Sequence, residues 1–72
     1  MSTNEQIEVA INGEFRSVPD GQTIRQLLES LALDPARVAV ELDRRIVKPQ
    51  NWDTTPIAAG ARLEIVQFVG GG

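Results

Sequence analysis

Apolar side chains recur every second residue in the first part of the chain: Ile7, Val9 and Ile11 alternate with Gln6, Glu8 and Ala10. A period of two is that of a half-buried strand, with one set of side chains facing a core and the other facing away. Asn12-Gly13 follows, a pair that accepts the positive φ angles of a type I′ turn, and Glu14 to Val18 is expected to return as an antiparallel second strand. After Pro19-Asp20-Gly21 the period changes. Ile24, Leu27, Leu28 and Leu31 fall at i, i+3, i+4 and i+7, one stripe of a helix that leaves Arg25, Gln26 and Glu29 in water. Thr23 and Gln26 have capping-box spacing at its start, and Asp34-Pro35 is expected to end it, because proline disfavours helical geometry in the preceding residue.

Alternation resumes with Val38, Val40 and Leu42, a third strand, and Arg45-Ile46-Val47 predicts a brief fourth. Pro49 to Pro56 reads as irregular or as a short helical turn, where Trp52 is expected to cap one end of the core. Gly60 turns the chain into a last strand, Arg62 to Phe68, directly before Gly70-Gly71-Gly72. Within that strand Leu63 and Ile65 are assigned to the helix side. Val66 and Phe68 then emerge on a sheet face that no second helix covers, where exposed apolar side chains form a candidate partner-docking surface.

Composition narrows what such a domain can do. The 72 residues contain neither cysteine nor histidine, which removes disulfides, thiolate nucleophiles, most zinc sites and the side chain best suited to proton transfer near neutrality. Ser2, Ser17 and Ser30 have no evident base, and Glu8, Glu14, Glu41, Asp43, Asp53 and Glu64 are too dispersed to suggest a metal cluster or a carboxylate pair. No catalytic or metal-binding residue is assigned, and the protein reads as something acted upon. Ten acidic against seven basic residues, a net charge of −3, argue against a nucleic-acid partner; partners with basic grooves fit better, although a charge this modest is more often only a solvated surface. Arg44, Arg45 and Lys48 read as a solvated sheet edge. No apolar run approaches a membrane span, and the polar start MSTNEQ lacks the features of a secretion signal, so a cytoplasmic location is expected.

The chemistry-bearing feature is the glycine end. Three extended residues reach about 10 Å, and without Cβ atoms they could thread a narrow channel. Gly70 and Gly71 would occupy that channel, and the reacting group would be the α-carboxylate of Gly72. A glycine-rich end is also what a frayed or appended terminus looks like.

The segments GQTIRQLLESL, VAVELDRRIVKPQNWDTTPI and LEIVQFVGGG, within a match from Ile7 to Gly72, resemble the ThiS family of sulfur carriers of thiamine thiazole biosynthesis. Its most specific parts are RRIVKPQNW and FVGGG. Ala59-Gly60-Ala61 departs from relatives that often carry acidic residues beside this turn glycine. The resemblance implies an α+β, β-grasp (ubiquitin-like) fold, a mixed five-stranded sheet with one helix packed on one face. It implies one domain over 1–72 with a flexible tail over 69–72, monomeric when free. It further implies that a ThiF-like adenylyltransferase joins Gly72 to AMP from ATP, and that sulfur from a cysteine desulfurase or another donor then displaces AMP to leave a thiocarboxylate. A ThiG-like thiazole synthase would consume that sulfur, and no cofactor would reside on the carrier. The molybdopterin synthase small subunit, another thiocarboxylate carrier, a ubiquitin-like protein modifier and an interaction module with an inert tail remain as alternatives.

Overall fold

The computed structural model describes residues 5–69. Strands β1 (Gln6–Ile11) and β2 (Glu14–Pro19) form an antiparallel hairpin in which Ile7 faces Val18 and Ala10 faces Phe15. Its turn residues, Asn12 at φ 51° and Gly13 at φ 84°, have the positive angles that the Asn-Gly pair tolerates. Helix α1 (Ile24–Ser30) begins with the expected capping box: the Gln26 amide donates to Thr23 Oγ1 over 3.2 Å, and the Thr23 amide donates to Gln26 Oε1 over 2.9 Å. Ile24, Leu27 and Leu28 are buried, whereas Leu31 at the helix end is half-buried.

The helix stops before Asp34-Pro35, contrary to the sequence expectation. Ala32 adopts φ 59°, its amide bonds to Glu29 O, and the Leu33 amide bonds back to Leu28 O, both over 3.0 Å. This is a Schellman closure with alanine in the left-handed position where glycine is usual. Leu33 packs against the core and holds the chain in that turn. Asp34-Pro35 instead starts the next turn, a 3-10 segment over Pro35–Arg37, with Asp34 Oδ1 accepting from the Ala36 amide.

Strands β3 (Val38–Leu42) and β4 (Arg45–Val47) make a second antiparallel hairpin across Asp43-Arg44, both at positive φ. A 3-10 segment, Pro49–Thr54, precedes β5 (Arg62–Gln67). The sheet order is β2-β1-β5-β3-β4, with β5 parallel to β1 and antiparallel to β3. A mixed five-stranded sheet with its last strand at the centre and a helix on one face is the β-grasp arrangement.

The core lies between that face and α1: Val9, Ile11, Val40, Leu63 and Ile65 from the sheet meet Ile24, Leu27 and Leu28 from the helix. Trp52 does more than cap the core. It is fully buried, and its indole N–H donates to Val47 O over 2.8 Å, so its one polar atom is satisfied. Arg25, expected in water, is half-buried, with its guanidinium 5.9 Å from the Trp52 ring centroid and Nε 2.9 Å from Asp53 Oδ1. That pairing ties the helix to the 3-10 segment. Among the described residues no helix is long and apolar enough to cross a membrane.

Leu28→Ala should lower the unfolding free energy by about 2–5 kcal/mol in urea denaturation, a large fraction of what so small a core supplies. Ala32→Gly should raise it by up to about 1 kcal/mol, because glycine removes the steric cost of the left-handed angle and leaves both closing hydrogen bonds in place.

Candidate docking face and C-terminal tail

Strand β5 positions everything at the candidate site. Of its odd-numbered residues, Leu63 and Ile65 are buried under α1 and Gln67, at the strand's end, is exposed. Its even-numbered residues project from the other face, where Val66 remains 56% and Phe68 54% exposed. Both lie where the alternation placed them, and Trp52, buried beneath the helix side, does not shield them. Phe68 is just beyond the strand, yet its amide still donates to Arg37 O over 2.7 Å, so the 3-10 turn leading into β3 holds the backbone up to that residue. Val69 follows, 93% exposed. The expected flexible tail over 69–72 and the assigned residues Gly70, Gly71 and Gly72 lie, apart from Val69, outside the described residues.

Two further apolar side chains stand on the open face that sequence reasoning did not single out, Phe15 at 77% and Ile46 at 75% exposure. Phe15 faces Ala10, which faces Arg62; Ile46 faces Glu41, which faces Glu64; Ala39 faces Val66. The signal was available. Val18 and Val47 point toward the core, so Phe15 and Ile46, an odd number of residues away, must point outward. Four large apolar side chains thus surround a polar centre.

Glu41 and Glu64 oppose each other directly across β3 and β5. Like charges in that position repel. The ion pairs among the described residues, Arg25–Asp53 and a long Arg37–Asp34 contact of 3.6 Å, leave both glutamates unpaired. Arg44, Arg45 and Lys48 stay exposed at or beside the edge strand β4, as a solvated edge requires. Among the described residues no group of three His, Cys, Asp or Glu side chains could hold a metal ion. What the arrangement offers is an exposed apolar surface and a strand that leads out of the sheet centre.

The chain is similar to thiazole synthases of Paramagnetospirillum magneticum, 38% identical over 66 residues, and Magnetococcus marinus, 30% identical over 66 residues. Each alignment covers 92% of this chain, which spans only 20% of the length of those relatives. An uncharacterised protein of Porphyra purpurea, ycf40, is 29% identical, with 96% of this chain and 97% of that protein aligned. Among solved structures, the crystal structure of the thiamine biosynthesis protein ThiS from Geobacter metallireducens superposes with a TM-score of 0.80 at 26% identity, covering 92% of this chain and all of that one. The solution structure of a thiamine biosynthesis protein from the same organism gives a TM-score of 0.77 at 28% identity, covering 92% of this chain and 88% of the other. The model of the ThiS family matches residues 9–72, from strand β1 through the terminal glycines, and the chain belongs to that family.

Proposed function

We propose that this chain is a sulfur carrier of thiamine thiazole biosynthesis, loaded at the carboxylate of Gly72. The observation that carries this reading is the extent of the family match, which continues through Gly70, Gly71 and Gly72 instead of stopping where the packed sheet ends. The composition supports reading the chain as a protein that is acted upon. Cysteine and histidine are absent from the sequence, so a reactive sulfur has no side chain to reside on and would be carried on the backbone terminus.

The chemistry would belong to a partner adenylyltransferase and ATP. The Gly72 carboxylate attacks the α-phosphorus of ATP, pyrophosphate leaves, and an acyl adenylate forms. This step replaces a poor oxygen leaving group with AMP. A persulfide sulfur then attacks the acyl carbon and expels AMP, giving an acyl disulfide. A second thiol cleaves its S–S bond and releases the terminal thiocarboxylate. A cysteine desulfurase system would supply the persulfide.

Thiazole synthase is the consumer that the comparisons favour. In two proteins of that name, a stretch equal to about a fifth of the length is similar to this chain, which puts a carrier-like sequence and a thiazole synthase on one polypeptide. Val66 and Phe68 would dock the partners, with Phe15 and Ile46 extending the contact and the Glu41–Glu64 pair suiting a cationic side chain between them.

Incubation with the adenylyltransferase, ATP and a sulfur donor should raise the intact mass by the difference between sulfur and oxygen, localised to Gly72. Deletion of Gly71 and Gly72 should abolish loading and leave the melting curve unchanged. A deletion variant that still supports thiazole formation refutes the carrier reading, and isopeptide-linked adducts on lysines would turn it into a modifier. Val66→Asp and Phe68→Asp should each weaken binding to the adenylyltransferase by about tenfold or more in titration calorimetry, with a stability change within about 0.5 kcal/mol. Phe68→Asp as destabilising as Leu28→Ala would mean that this face is packed rather than docking.

A further inference from the structure

Asn12 does more than turn the first hairpin. Strand β1 pairs with β5 in parallel through Ala10 and Ile11, and the last backbone bond of that pairing runs from the Asn12 amide to Leu63 O over 2.8 Å. The next pair of groups on β5, the N–H and C=O of Ile65, would need another stretch of β1. The chain has already reversed at Gly13. The Asn12 side chain fills the gap: Oδ1 accepts from the Ile65 amide over 2.8 Å, and Nδ2 donates to the Ile65 carbonyl over 3.1 Å. A carboxamide presents the same donor and acceptor as a peptide unit, so one side chain stands in for the missing backbone.

The consequence falls on the outgoing segment. Among the described residues, Ile65 is the last β5 residue held from the β1 side. Gln67, two residues further and with the same orientation, meets a groove of about 430 Å³ whose walls include Ile11, Asn12, Leu33 and Ile65. From there, among the described residues, only the opposite edge is held, by Val38 of β3 opposite Gln67 and by the Phe68 amide on Arg37 O in the 3-10 turn that leads into β3. The change from two-sided to one-sided support therefore occurs at Asn12. We propose that Asn12 is a positioning residue that fixes the point and direction at which the C-terminal segment leaves the sheet, so that a partner docked on Val66 and Phe68 receives the terminus in register with its active site. This rests on the carrier reading above and adds to it a residue distant in sequence from the reacting end.

The test uses Asn12→Gly, because Gly-Gly still accepts both positive φ angles of the turn while losing both bonds to Ile65. Pyrophosphate release is measured with the carrier as varied substrate of the adenylyltransferase, with ATP, the persulfide donor and a reducing thiol present so that the acyl adenylate turns over, at a temperature where circular dichroism shows the variant folded. The expected result is a kcat lower by about tenfold or more with KM nearly unchanged, since the docking side chains remain and the terminus is misdirected. Amide exchange should quicken at Ile65 and stay slow at Val9 and Val40. Asn12→Asp, which keeps the acceptor for the Ile65 amide and loses the donor, should fall between Asn12→Gly and wild type; it also serves if Asn12→Gly does not fold. Wild-type kcat and KM in Asn12→Gly, or a change in KM alone, overturns the positioning role while leaving the carrier reading intact. A wild-type chain that releases no pyrophosphate removes the carrier reading, and this inference with it.

Discussion

The pairing of β5 on both of its edges closes this structure. The strand is last in sequence and central in space, so the hairpins β1–β2 and β3–β4 have no direct contact through the sheet until it lies between them. Leu63 and Ile65 then complete the floor on which Ile24, Leu27 and Leu28 pack. Parallel pairing with β1 and antiparallel pairing with β3 are both long-range, and their chain-closure entropy must be offset by burial under a short helix. A domain of this size has little to spare, and the Trp52 N–H on Val47 O and the Thr23–Gln26 pair at the helix start each satisfy groups that burial or the helix end would otherwise leave unpaired.

Much of this was legible in the order of residues because the two periods are clean. Alternation at Ile7, Val9 and Ile11, at Val38 and Val40, and at Leu63 and Ile65 is enforced by a sheet buried on one face only, so each strand declares its inward side. Val66 and Phe68 could be assigned outward on the same ground. Phe15 and Ile46 obey the same parity, but each sits in a strand with a single strongly apolar partner, and the alternation is too short to stand out there. The helix end was misjudged for a different reason. Proline is a strong local signal, whereas the closure at Ala32 depends on Leu33 reaching the core, and no local propensity reports that contact.

Asn12 and Asp43 mark the limit of a reading based on turn propensity. Both occupy the first central position of a tight hairpin turn, and both tolerate positive φ, which is sufficient reason for their presence. In three dimensions each also reaches onto β5: Asp43 Oδ1 accepts from the Arg62 amide over 3.0 Å near the strand's start, and Asn12 brackets Ile65 near its end. Asn12 and Ile65 lie 53 residues apart, and nothing in the spacing of one announces the other.

A strand has two faces and two edges, and here each of the four has its own task. One face of β5 supplies the core, and the other carries Val66 and leads to Phe68. The edge toward β3 stays paired to Phe68, while the edge toward β1 is released after Ile65. Separation of this kind lets a very small protein keep an exposed apolar surface without weakening its core, because the residues on that surface are not those that hold the fold. A segment that leaves from the sheet centre, with fixed backbone on one side up to Phe68, starts from a position set by the whole sheet.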